Sequence, residues 1–203
     1  MIRRILITGC GGMLGSSVYK HLTAQGYTLM ATDIDLDEEW LSYLDVREFE
    51  DAYKIASSFK PDIILHLAAL TNLEYCESNP KEAYRTNYLG TKNMAAICKE
   101  MDIPLVYIST AGVFDGNGER YSEEDFPNPI NVYGKTKLYA EIAVQHLLDK
   151  YFIVRAGWMV GGGRKDKKFV SYMLSQIKDG NNKFKVVNDK VGTITYTLDF
   201  AKN

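Results

Sequence analysis

Short apolar runs alternate with longer amphipathic stretches along this chain. The runs "IRRILIT" (2–8), "YTLMATD" (27–33), "DIILHLA" (62–68), "PLVYIST" (104–110), "YFIVRAG" (151–157) and "FKVVN" (184–188) read as strands. Between them, 12–25, 47–59, 79–101, 131–149 and 166–179 carry apolar residues at helical spacing. Strands apolar on both faces need helices covering each side, so the order predicts repeated βαβ units around a parallel sheet. The expected fold is a doubly wound α/β domain. No internal repeat, linker or low-complexity tract interrupts it, and 1–203 reads as one domain. The glycine-rich, basic piece "GGGRKDKK" (161–168) is its most loop-like segment.

Composition narrows the functional classes. The 203 residues are 46% hydrophobic and 25% charged, enough to bury a core. A net charge of -2 supplies no field to attract nucleic acid or an anionic membrane, so an anionic ligand must be held locally. Cys10, Cys76 and Cys98 lack the spacing of a zinc site or a disulfide framework, which predicts no metal and a reducing, cytoplasmic setting. "MIRRILITG" is too short for a membrane span and lacks a signal-peptide pattern, so no membrane association is expected.

The first strand runs into "TGCGGMLGSSVYKHL", where Gly9, Gly12 and Gly15 are spaced TGxxGxxG and an amphipathic helix follows. Such a loop serves a tight turn, close backbone approach to a pyrophosphate, and intimate helix–strand packing, with the helix N-terminus facing the anion. The second strand ends at Asp33, where a carboxylate can accept hydrogen bonds from both ribose hydroxyls and repel a 2′-phosphate. A Rossmann-type site for NAD(H) in preference to NADP(H) is the expectation. The alternative for Asp33 is that it merely opens the acidic turn "DIDLDEE". Cys10 in the loop reads as a small residue that tolerates the turn.

"NPINVYGKTKLYAE" (128–141) sets Tyr133 and Lys137 one helical turn apart, on the same face. A phenol near its ordinary pKa of about 10 is a poor base at neutrality, and a neighbouring cation would correct that. Alone, the two residues are a common exposed helix pair. "STAGVF" adds Ser109 and Thr110 at a strand's C-terminal end, where open α/β sheets bind ligands. With TGxxGxxG, Leu67–Ala69, "TNYLGTKN" (86–93) and YGKTK (133–137), the chain resembles the extended short-chain dehydrogenase/reductase superfamily. "VFDG", "PINVYGKTKLYAE", "RAGWMVGGG" and "VVNDKVGTITYTLDFA" are most similar to dTDP-4-dehydrorhamnose reductases and their sugar-nucleotide relatives.

That resemblance implies Tyr133 as proton donor or acceptor at the substrate oxygen. It implies Lys137 as the group that lowers the tyrosine pKa and holds the nicotinamide ribose, and Thr110 as a hydrogen-bond partner of the reacting oxygen. It extends the cofactor site to Met13, Leu14, Asp45, Val46, Leu67, Ala68, Ala69 and Thr71, with Asn87 architectural and Arg155 near the site. The bland readings are a strand-end turn at Asp45, core packing for "HLAAL" with His66 a satisfied core histidine, and a carboxylate partner for Arg155. The basic run 164–168 reads as a solvated loop or as a contact to a sugar-nucleotide pyrophosphate.

The implied activity is NAD(P)-dependent reduction of a nucleotide-linked 4-keto-6-deoxysugar, with a homodimer allowed. An epimerase or dehydratase and a non-catalytic dinucleotide-binding regulatory subunit are the alternatives. Two features depart from the reductases: Ala111 and Gly112 stand where those enzymes carry an acid and a tyrosine, and Ile194 replaces the proline of a Gly-x-Pro-Thr turn. Family members also continue past the point matching Ala201. The expectation is therefore a fragment in which 157–203 begins a substrate-binding region, the alternative being a naturally short form whose site a partner completes.

Overall fold

The computed structural model describes residues 2–166 and 168–203; Met1 and Lys167 lie outside the described residues. Six parallel strands, β1 (Arg4–Thr8), β2 (Thr28–Asp33), β3 (Ser42–Tyr43), β4 (Ile63–His66), β5 (Leu105–Thr110) and β6 (Tyr151–Ala156), form a sheet in the order β3-β2-β1-β4-β5-β6. This is the doubly wound order, in which the chain reverses its direction of travel between β1 and β4 and opens a crevice at the strands' carboxyl ends. The helices are α1 (Met13–Ala24), α2 (Phe49–Phe59), α3 (Leu73–Ser78), α4 (Pro80–Ala83), α5 (Gly90–Met101), α6 (Val132–Leu147), α7 (Phe169–Lys178) and α8 (Thr197–Phe200).

Alternation along β1 divides the core in two. Leu6 points to the layer of α2, α5 and α6, where it joins Ala56, Ile64, Met94, Ile97 and Val144. Ile5 and Ile7 point the other way and pack with Leu14 and Val18 of α1, Ala31 and Leu41. Successive strand residues face opposite sides, so a strand covered on both must be apolar throughout. Each fully buried Leu or Ile contributes about 1.5–3 kcal/mol.

Two predicted elements came out differently. "FKVVN" (184–188) is irregular and its Phe184, Val186 and Val187 are exposed; apolar β-formers make a strand only where a neighbouring edge takes up their backbone groups. The strands of this region are instead β7 (Trp158–Val160) and β8 (Ile194–Tyr196), which pair in a small parallel sheet of their own. The predicted helix 79–101 is divided: α4 passes into a π-helical stretch, Tyr84–Leu89, before α5. Phe169, Tyr172, Leu174 and Ile177 of α7, with Val187 and Val191, present large apolar surface to solvent.

Candidate functional site

Four strands end at the crevice and each delivers a predicted residue. After Thr8, Gly9 takes φ +69°, and a Cβ there would collide with the backbone of Ala68 beyond β4. Gly15, on the first turn of α1, lies so close to Cys10 that a side chain would overlap its backbone. Glycine is required at both by contact with main chain that cannot yield. Gly12 is the N-cap of α1 and makes no side-chain cap, and the first turn holds no acid. The leading N–H groups of the helix are thus left to an anion, and the side-chain-free loop fits a dinucleotide pyrophosphate. Leu14 is buried in the core, and Gly162 packs on Met13. Burial pushes the Cys10 thiol up to about 12, so it is inert, as its small-residue reading implies.

Asp33 turns its carboxylate toward the glycine loop. One oxygen accepts the Gly11 N–H at 2.9 Å and the other the N–H of Ile34 at 2.8 Å. The acid therefore both opens its turn and stands beside the loop. Leu67 continues the β4 edge by donating its N–H to the Thr8 carbonyl at 3.0 Å, and Ala68, Ala69 and exposed Thr71 follow. Asp45 is occupied differently. Its carboxylate is forked by Arg47, at 2.8 and 2.6 Å, which holds the acid below the usual carboxylate range. Val46 packs against Gly90 and its carbonyl accepts from Asn93, so this pair also locks α2's approach to α5. In the basic run 164–168, Lys165 pairs with Asp37 and Glu38, Lys168 reaches Thr71 at 3.5 Å, and Lys167 lies outside the described residues.

Thr110, Tyr133 and Lys137 converge where β5 meets α6. Asn131 caps α6 by accepting the Gly134 N–H at 2.7 Å, and Gly134 lies against the Gly112 carbonyl with no space for a Cβ. That contact sets the first turn of the helix beside Thr110. Burial pushes the Tyr133 phenol up to about 12, opposed by a hydrogen bond with the Thr110 hydroxyl. Lys137 is buried, donates to the Ile108 carbonyl at 2.7 Å and lies 4.3 Å from the centre of the Tyr107 ring. Burial lowers its pKa to about 7, opposed by Glu141. Desolvation is the leading influence on the phenol in this chain, and the Thr110 hydroxyl works against it.

A buried polar chain ties these pieces together. His66 bonds Thr8 at 2.6 Å through Nδ1 and Thr91 at 2.9 Å through Nε2. Thr91 donates to the Asn87 carbonyl, and the Asn87 side chain bonds both Leu70 backbone groups and Thr136, whose hydroxyl donates to the Tyr133 carbonyl. Asn87 sits in the π-helical stretch, a local irregularity that often accompanies functional sites. Sequence reasoning placed His66 and Asn87 in the architecture but missed the π-helix that aims Asn87. It also missed Glu141, the carboxylate that pairs with Arg155 at 2.7 Å. The spacing Tyr133, Lys137, Glu141, three positions of one stripe at four-residue steps, was the available signal.

Burial pulls the His66 pKa down to about 3, below its ordinary value near 6.5. A group depressed on folding contributes stability above its unfolded pKa that is lost as pH falls toward the folded one. The melting temperature is thus expected to fall from about pH 6.5 downward, and the His66→Gln variant to lose part of that slope. An identical slope in thermal melts of both proteins would contradict it.

The strand order, the glycine loop and the Thr/Tyr/Lys set at one sheet edge define a Rossmann-type protein of the extended short-chain dehydrogenase/reductase kind. A model of the RmlD substrate binding domain matches residues 3–203, and the chain belongs to that family. It is 35% identical to the dTDP-4-dehydrorhamnose reductase of Mycolicibacterium smegmatis, over 99% of this chain and 59% of that protein. It is 30% identical to methionine adenosyltransferase 2 subunit beta of Xenopus tropicalis, over 98% of this chain and 60% of that protein. The dTDP-4-dehydrorhamnose reductase of Bacillus anthracis, solved in complex with NADP, superposes with a TM-score of 0.90 at 34% identity, covering 100% of this chain and 69% of that one. The chain spans about three fifths of the first two relatives' length. No helix among the described residues is long and apolar enough to cross a membrane.

Proposed function

We propose that this chain is the dinucleotide-binding portion of an NAD(P)-dependent reductase that acts on the 4-keto group of a nucleotide-linked 6-deoxysugar, with 157–203 beginning the part that binds the sugar nucleotide. The observation that carries the reading is the meeting, at one sheet edge, of an anion cradle and a hydroxyl–phenol–ammonium set. A bound nicotinamide supplies the hydride. Gly9, Gly12, Met13 and Gly15 hold the pyrophosphate by backbone N–H groups at the start of α1. Leu67, Ala68, Ala69 and Thr71 form the opposite wall, and Asp45 with Val46 borders the adenine.

Tyr133 is the acid that protonates the sugar oxygen, and Thr110 steadies that oxygen. A phenol raised to about 12 is fully protonated at neutral pH, as a proton donor must be. Lys137, one helical turn away, stabilises in its ammonium form the phenolate left when the phenol gives its proton to the sugar oxygen.

Asp33 supports a preference for NAD(H), because a 2′-phosphate would be set against its carboxylate. Asp33→Ala is expected to weaken NADH binding about tenfold, the loss of roughly one good charge-assisted hydrogen bond, with little loss for NADPH. Equal losses in a fluorescence titration would remove the ribose assignment. The function itself is tested by titrating the 203-residue chain with NADH and NADPH, then adding a nucleotide-linked 4-keto-6-deoxysugar while following absorbance of the reduced nicotinamide. Oxidation supports the reductase. Tight binding without oxidation supports a second reading, a dinucleotide-binding regulatory subunit, which the identity to the methionine adenosyltransferase subunit favours.

A further inference from the structure

We propose that Glu141 is a positioning residue: a buried carboxylate that fastens the ends of β5 and β6 to α6 and serves Lys137, one helical turn away, as its anionic partner. The inference deepens the reductase reading and rests on it for the role of Lys137. Tyr133, Lys137 and Glu141 follow one another at four-residue steps, so they share one face of α6, the face turned to the sheet. Lys137 and Glu141 are both all but inaccessible, at 2% and 1% exposure. A carboxylate so placed must be paired, and it is. Arg155 of β6 forks it at 3.0 and 2.7 Å, and Ser109 of β5 donates its hydroxyl.

Ser109 and Arg155 are register partners on neighbouring strands, and Ser109 adjoins Thr110. Glu141 therefore fastens the two strand ends to the helix that bears Tyr133. Arg155 is steadied in turn by Phe114, its guanidinium 5.0 Å from the ring centre.

The charges around Lys137 make Glu141 the decisive one. On its own helix stand Tyr133 and Glu141; from β5 comes Tyr107, a protonated phenol; from β4 comes His66, held neutral by burial; from β6 comes Arg155, already engaged by Glu141. Glu141 is the one anion in this group, and it raises the lysine pKa against desolvation. Without that anion, a buried ammonium beside an arginine would give up its proton.

The test follows Lys137 directly by NMR titration of protein carrying ¹³C-labelled lysine, its resonance identified by loss in Lys137→Arg. Glu141→Gln preserves size and the bond to Ser109 but removes the charge, and the Lys137 midpoint is expected to fall by about one pH unit. Arg155→Gln removes a cation, so the midpoint is expected to rise. An unmoved midpoint in Glu141→Gln overturns the proposal, and so does a fall in both variants, which is the mark of general loosening. If Glu141→Gln does not fold, Arg155→Gln decides: a midpoint that rises supports the proposal, because Glu141 freed of its arginine then acts on Lys137 alone, and one that stays or falls overturns it. The measurement needs no turnover. Unchanged NADH affinity in Lys137→Met would overturn the reductase role of the lysine and leave the Glu141 result standing.

Discussion

Tyr133→Phe is expected to lower turnover by about a hundredfold to ten-thousandfold, the usual contribution of a positioned general acid, while NADH affinity stays within about twofold of the unmodified chain. The ring is half-buried and phenylalanine fills the same space, so the helix and its Asn131 cap persist. What disappears is the one proton that Tyr133 carries near the reacting oxygen, and the partner of the Thr110 hydroxyl. That lost hydrogen bond costs about 1 kcal/mol of stability. The measurement is oxidation of NADH by a nucleotide-linked 4-keto-6-deoxysugar, with a parallel binding titration. A drop in turnover and in NADH affinity together would indicate a disturbed cofactor site. Retained turnover would remove Tyr133 from the chemistry altogether.

Gly9→Ala is expected to disable the dinucleotide site and weaken the whole fold. The left-handed φ of +69° costs an L-residue about 1–2 kcal/mol. The new methyl also meets the Ala68 main chain, which belongs to the stretch following a central strand and cannot turn aside as a side chain would. Overpacking of that kind adds about 1–3 kcal/mol. The two effects together lower the melting temperature by about 5–10 °C and reduce NADH affinity at least about a hundredfold, because the loop can relax only by moving its N–H groups. Gly26→Ala is the control. It has the same sign of φ, +80°, with nothing within 4 Å of the added methyl, so it should lose a little stability and no affinity. If both variants bind NADH alike, the contact with Ala68 carries no weight.

The local geometry of the glycine loop and of the Tyr133/Lys137 pair was legible in the sequence, for a reason tied to particular residues. Gly9 and Gly15 sit where main chain approaches main chain so closely that a Cβ would overlap it, and such positions exclude every other residue type. Tyr133 and Lys137 lie within one helical turn, so their shared face follows from local geometry. Asp45 shows the limit. Its place at a strand end was legible and its partner Arg47 stands only two residues on, but the reach of Arg47 to Glu82, which fixes the pair, joins residues distant along the chain. The "FKVVN" strand failed for the same reason, since a strand exists only by virtue of a neighbour. The upward pull on the Tyr133 pKa was not legible either, because burial is a property of the packed molecule.

The sequence by itself determined the alternation of apolar runs and amphipathic helices, the two-sided sheet that this alternation requires, the glycine loop, and the shared helix face of Tyr133 and Lys137. These are local or periodic properties, set by backbone sterics and the helical repeat. Only the tertiary structure decided that Glu141 meets Arg155 and Ser109, that Asn87 reaches Leu70 and Thr136 from a π-helix, and that Lys137 is dry enough to titrate near neutrality. Those outcomes depend on which distant segments exclude water from one another, and desolvation and long-range pairing have no period that a chain read in order can display.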